Sequence, residues 1–179
     1  MLIVLDPGHG GKDPGAVGTV IKEKDANLSI ARVVKGQLVA LGYTVLMTRN
    51  DDVFLKPEER TAIANKTDAA LFVSIHCNAS INTTAAGIET LYGSKNLKSF
   101  TAATLIQREL IGRVKEYGIP DRGVKARNDV WVVNHCRMPS ALVECGFLSN
   151  VGDESLLAAA EYRRAVGEAI TSGIVHYLK

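Results

Sequence analysis

Two spacings of apolar residues alternate along this chain. Short, nearly unbroken apolar runs occur at residues 2–5, 43–48, 69–75, 87–92, 130–133 and 141–143, and each reads as a strand. Between them the apolar positions follow helical spacing. Ile30, Ala31, Val34, Leu38 and Leu41 share one face of a helix running through Leu28, with Gly42 as its stop. Pro57, Glu58 and Glu59 form a first helical turn, where proline and acid are both favoured, and that helix runs to about Lys66. A long helix spans residues 98–117, closed by Gly118 and Pro120, and the tail after Asp153 is helical, with Ala165, Val166, Ala169, Ile170, Gly173, Ile174 and Tyr177 aligned. Strands alternating with helices predict an α/β fold: a single domain with a twisted, mostly parallel or mixed sheet of about six strands and helices on both faces. No linker, low-complexity tract or internal repeat interrupts residues 1–179, which read as one domain.

Three of the predicted strands end in polar residues. The first run breaks into Asp6-Pro7-Gly8-His9-Gly10-Gly11, the third ends at His76, and the last ends at Glu144. Ligands in open α/β sheets bind outside the carboxyl ends of strands, so these ends mark the candidate site. Each residue also has a plainer account. A loop histidine such as His9 is commonly just solvated, His76 is compatible with a satisfied core histidine, and Glu144 with a buried salt bridge. Burying a lone carboxylate in Leu142-Val143-Glu144-Cys145-Gly146 is costly, and a nearby cation removes that cost. The glycine-rich loop does not complete a phosphate-binding motif, since Gly11-Lys12 is followed by Asp13. Spacing does not select Glu23, whose neighbours Lys22 and Lys24 suggest a solvated charge run; Asp25, Glu58 and Glu89 are equally available. His135 and His176 are likewise unselected, the latter being explained by a helix C-terminus. The residues alone therefore indicate two histidines and a carboxylate, with Glu144 nearby.

Composition narrows the class. With 21 basic against 19 acidic residues, the net charge of +2 does not suggest a nucleic-acid partner. No apolar run is long enough for a membrane span, and Met1 leads directly into the first strand, so no secretory leader is expected. Three cysteines, Cys77, Cys136 and Cys145, argue against a disulfide framework. Strand alternation points Cys77 and Cys145 away from His76 and Glu144, as small buried thiols.

Taken in order, several segments form a longer series: Leu5-Asp6-Pro7-Gly8-His9-Gly10-Gly11, Lys22-Glu23-Lys24-Asp25, Thr48-Arg49, Ser74-Ile75-His76-Cys77-Asn78-Ala79, Asp121-Arg122-Gly123-Val124 and residues 138–150. This series resembles the zinc-dependent N-acetylmuramoyl-L-alanine amidases of the amidase type 3 family, over essentially the whole chain. The resemblance implies an enzyme that hydrolyses the amide between N-acetylmuramic acid and L-alanine in peptidoglycan. It implies one zinc ion held by His9, Glu23 and His76, with Glu144 as the catalytic carboxylate. Asn78 is then a candidate contact for substrate or oxyanion, and Asp6 a candidate partner orienting His9. The chain departs from many such proteins in carrying Cys77 and Cys145, and it lacks the long insertion after His76 that blocks the zinc in some of them. Only residues 79–86 separate Asn78 from Gly87, so no activator protein is expected. The site of action implied is the cell wall, reached by a phage endolysin made in the host cytoplasm or by the excised domain of a secreted autolysin. Another zinc peptidase or amidohydrolase, and a wall-binding module without catalysis, are the rival classes; product analysis separates the first, and the complete set of four site residues disfavours the second.

Overall fold

The computed structural model describes Met1–Lys179. In chain order its elements are β1 (Leu2–Pro7), α1 (Glu23–Ala40), β2 (Thr44–Met47), α2 (Pro57–Asn65), β3 (Leu71–Asn78), β4 (Ile88–Tyr92), α3 (Leu97–Val114), β5 (Asp121–Ala126), α4 (Trp131–His135), β6 (Ser140–Phe147), α5 (Val151–Ala158) and α6 (Ala160–Leu178). A 3₁₀ turn, Lys115–Tyr117, extends α3. The six strands form one sheet in the order β2-β1-β3-β6-β4-β5. Strands β2, β1, β3 and β6 are mutually parallel; β4 runs antiparallel to β6, and β5 is parallel to β4. The mixed α/β sheet of six strands is the one expected.

Period-two alternation divides the side chains between two cores. Ile3 and Leu5, Leu71, Val73 and Ile75, and Ala141 and Val143 enter the larger core with α1, α3 and α6. Val4, Phe72, Leu91 and Leu142 enter a smaller one with Ala64 of α2 and Val132 and Val133 of α4. Burial on both faces explains why β3 reads as an unbroken apolar run. It also fixes where the site opens. His76 and Glu144 share the face of Phe72 and Leu142, and His76 lines a cleft with Pro57 and Arg60 of α2 and Trp131 of α4. Cys77 and Cys145 point the other way, into the larger core, as expected.

Three expectations are corrected. Residues 130–133 are not a strand: Trp131–His135 form a single helical turn, and Val132 and Val133 are both buried against the smaller core. The sixth strand is β5, whose sequence Asp-Arg-Gly-Val-Lys-Ala is half exposed at the sheet edge. A polar edge strand carries no apolar run to find, and polarity there discourages pairing with another chain. Helix α1 starts at Glu23 rather than near Leu28, because its first turn is polar yet buried at Glu23 and Asn27. The tail is two helices, broken where Ala159 adopts an extended conformation. No helix is long and apolar enough to cross a membrane.

Candidate metal centre

The loop after β1 is held by two arginines. The Pro7 carbonyl accepts from Arg49 Nε (2.9 Å) and Arg60 Nη1 (2.7 Å), and the Gly8 carbonyl from Arg49 Nη2 (2.9 Å). The His9 carbonyl accepts from Arg60 Nη2 at 2.7 Å. Carbonyls that leave a sheet need such partners when buried. These bonds hold His9 at φ +59°, a left-handed conformation that costs a non-glycine residue energy and persists only where its surroundings impose it.

So placed, His9 meets His76 edge to face, with ring centroids 4.9 Å apart. Glu23, on the first residue of α1, lies between them. Its Oε1 is 3.1 Å from His9 Nε2 and 2.9 Å from His76 Nδ1. Ligand atoms of all three residues lie within 4.8 Å of one another. The carboxylate is fixed by backbone N–H donors from Ala16 to Oε2 (2.8 Å) and Cys77 to Oε1 (3.1 Å). Two glycines make this convergence sterically feasible. A Cβ on Gly8 would stand 2.2 Å from the His76 ring, and one on Gly15 would stand 2.5 Å from Glu23 Oε2. Two imidazoles and one carboxylate in this arrangement suit a divalent cation with an open coordination position.

Protonation follows the same geometry. Burial lowers the His9 pKa, but hydrogen bonding and charge from Glu23 and Asp13 outweigh it, and the net shift is upward. Burial pushes the Glu23 carboxyl up, yet the hydrogen bonds to His76 and His9 prevail and hold it well below the usual carboxylate range. Glu144 behaves oppositely. Burial raises it to about 7, and the neighbouring Glu23 and Glu89 carboxylates add to the rise. It lies directly beside His76 in the β3–β6 register. Its Oε2 is sealed from solvent without a hydrogen-bond partner, so the buried salt bridge considered for it is absent. Asn78, two residues beyond His76 on β3, donates to Glu89 Oε1 (3.2 Å) and accepts from Ala79 N (2.8 Å).

A family model described as N-acetylmuramoyl-L-alanine amidase matches residues 3–176. The chain belongs to that family. It is 40% identical over 177 residues to the uncharacterized protein YqiI of Bacillus subtilis, covering 98% of this chain and 84% of that protein. It is 38% identical over 179 residues to the N-acetylmuramoyl-L-alanine amidase LytC of the same organism, covering 99% of this chain but 35% of LytC. The fold matches the CwlD amidase of Clostridioides difficile, solved in complex with the GerS lipoprotein, with a TM-score of 0.93 and 34% identity, covering 99% of this chain and 98% of that one. The family's reaction is hydrolysis of the amide that joins N-acetylmuramic acid to L-alanine in peptidoglycan.

Within the amidase fold, two further expectations change. Asp6 does not orient His9: its carboxylate is fully buried and taken by Thr48 Oγ1 (2.6 Å), Ser74 Oγ (2.7 Å) and Arg60 Nη1 (2.8 Å). The residue that bonds His9 Nδ1 is Asp13, at 2.9 Å. Glu23 is no part of a solvated charge run, since Lys24 turns outward to Asp52 and the Gly11 carbonyl while Glu23 turns in. Sequence reasoning missed Arg60, whose only signal was an arginine four residues inside a predicted helix. His135 stacks on Trp131 at 3.6 Å, and His176 lies 3.2 Å from Glu109; neither approaches the centre. A cleft of about 180 Å³ opens from His9 and His76 between Phe54, Pro57 and Trp131.

Proposed function

We propose that residues 1–179 form a catalytic domain in which His9, Glu23 and His76 hold one zinc ion and Glu144 transfers the protons of amide hydrolysis. The observation that carries this reading is the juxtaposition of a three-residue donor set with a buried, partnerless Glu144 oxygen one strand away. The donor set fits the ion: two neutral imidazoles and a carboxylate are common zinc ligands, and a cation there relieves the cost of ionising Glu144. Zinc, when bound, supplies Lewis acidity that polarises an amide carbonyl and acidifies water.

The chain's own residues do the rest. Asp13 orients His9 through Nδ1, leaving Nε2 directed at the centre. Glu144 takes a proton from the attacking water and returns it to the L-alanine nitrogen as the carbon–nitrogen bond breaks, leaving a carboxylic acid and a free amine. Glu144 serves both transfers because it lies beside His76 with one oxygen that no other side chain claims. Asn78 retains one amide N–H beyond the one given to Glu89, available to the developing oxyanion or to substrate. The substrate is peptidoglycan, acted on at the cell wall, at the junction of glycan and stem peptide.

We further propose that this site is open without an activator protein. The loop of residues 79–86 is drawn toward the β6–α5 connection, where Ser80 N donates to Ser149 Oγ (2.9 Å) and Asn150 Nδ2 donates to the Thr83 carbonyl (3.0 Å). None of its residues lines the cleft. Purified peptidoglycan digested with and without chelator tests the whole reading. New L-alanine amino termini, without new reducing sugar ends and abolished by chelator, support it; new termini within the stem peptide would indicate a zinc peptidase instead.

A further inference from the structure

Beyond Glu144, the sheet carries a polar cluster on the same face. Glu89 on β4 pairs directly with Glu144 across the antiparallel junction with β6, so the two side chains emerge side by side. Glu89 is buried, and its Oε2 receives two cations: Arg122 Nε at 2.8 Å and Lys125 Nζ at 2.6 Å, both from β5. Its Oε1 receives Asn78. Burial raises the Glu89 pKa, but Lys125 and Arg122 outweigh it and hold the carboxyl ionised. One cation is enough to neutralise one carboxylate. Two on a single oxygen exceed what Glu89 alone needs, and both cations reach solvent, because the Arg122 and Lys125 side chains are 33% and 41% exposed.

Arg122 is also positioned with donors to spare. It meets Glu89 through Nε; Nη1 makes one long contact to the Ala86 carbonyl (3.3 Å), and Nη2 makes none. Its guanidinium lies over the Phe147 ring at 4.8 Å, which fixes its plane. Two partly exposed cations, one with free donors, thus stand next to the residue proposed to transfer protons.

We infer that Arg122 and Lys125 bind the α-carboxylate of the second stem-peptide residue, and that Glu89 is the positioning residue that holds them there. The inference rests on the amidase reading of the centre. In peptidoglycan, L-alanine is followed by D-glutamate joined onward through its γ-carboxyl, so its α-carboxylate is free unless amidated. That group stands two residues from the scissile amide, roughly 7 Å along an extended chain. Neighbouring strands are about 4.8 Å apart, so cations held over β4 and β5 lie roughly 5–10 Å from Glu144. The two lengths agree. The stem peptide thus crosses β4 toward β5, while the cleft between Phe54 and Trp131 on the opposite side is left for the muramic acid.

The test uses the zinc-loaded protein and two synthetic muramyl tripeptides, identical except that D-glutamate carries a free α-carboxylate in one and a carboxamide in the other. The wild type should favour the carboxylate by about tenfold or more in kcat/KM, as expected for a charge-assisted hydrogen bond, with the difference in KM. Lys125→Met should reduce that ratio severalfold, and Lys125→Arg should restore it. A ratio near one in the wild type, or one unchanged in Lys125→Met, overturns the inference. Cleavage of neither peptide overturns the amidase reading itself, and the inference with it. A second readout does not need turnover: the Arg122 Nε–H resonance of the metal-free protein should shift on adding the L-alanyl-γ-D-glutamyl-lysine peptide, and not on adding its amide. Equal shifts with both count against the subsite.

Discussion

Arg60 Nη2 donates to the carbonyl of His9 at 2.7 Å, tying the first turn of α2 to a left-handed residue at the end of β1. The same guanidinium pairs with the fully buried Asp6 at 2.8 Å. One side chain therefore balances a buried charge and sets the backbone that aims an imidazole. Arg60→Met should lower stability by about 3 kcal/mol, the usual cost of breaking a buried pair from one side. It should also weaken zinc binding roughly tenfold or more, as loss of an orienting partner does. Denaturant midpoints and a zinc competition titration measure the two separately. Unchanged zinc affinity would restrict Arg60 to a role in stability.

Zinc content discriminates the donor set. His9→Ala, Glu23→Ala and His76→Ala should each lose bound zinc and hydrolysis, while His135→Ala and His176→Ala keep zinc, since their rings lie elsewhere on α4 and α6. Stoichiometric zinc in purified His76→Ala, by elemental analysis, would sink the assignment.

Glu144→Gln should retain the fold and the metal yet slow hydrolysis by roughly 10²–10⁴-fold, the range for losing a general acid–base. The amide can occupy the same space but cannot accept the proton. Near-normal turnover with zinc confirmed bound would make Glu144 structural.

The metal-free protein should respond to pH in a way set by three groups. His9 is raised above 6.5, so its pairing stabilises the fold fully below that value and fades as pH rises through its folded pKa. Glu23 is depressed, so its contribution is present above its ordinary 4.5 and is lost as pH falls. Glu144 is raised from 4.5 to about 7, so the fold favours its protonated form and loses that advantage between those values. Thermal unfolding with chelator should therefore show greatest stability on the weakly acidic side of neutrality. Zinc should move the maximum upward, because its ligands must be deprotonated. With chelator, Glu144→Gln should raise Tm at pH 8 more than at pH 5. The same pH of maximum stability with and without zinc would contradict this account.

The proposal of an open site has a direct consequence. The purified chain, loaded with zinc and added alone to bare peptidoglycan, should release amino termini without a lag. Ile81, the large apolar residue of the 79–86 loop, is fully exposed rather than packed over the centre. Silence relieved by a partner protein or by deleting this loop would show that a gate exists.

Much of this architecture was legible because apolar spacing is local. Buried strands such as β1, β3 and β6 must be apolar on both faces. The polar residues that interrupt those runs, Asp6, His76 and Glu144, mark the end of the sheet where the site lies, although β3 continues to Asn78 and β6 to Phe147. Conformation in strands also fixed the inward turn of Cys77 and Cys145. Resemblance over the ordered motifs supplied the assignment of Glu23 and the amidase chemistry. Tertiary structure decided what local pattern cannot carry. Polar β5 is a strand because β4 and α3 provide a place for it at the edge. Glu23 faces inward because Ala16 and Cys77 donate to it from segments distant in sequence. Asp13, rather than Asp6, partners His9 because Arg60 of α2, Ser74 of β3 and Thr48 just after β2 claim the Asp6 carboxylate. Hydrogen bonds of buried polar groups are settled by whichever donors the folded chain brings within about 3 Å, and that proximity is a property of the packing, not of any single stretch of sequence.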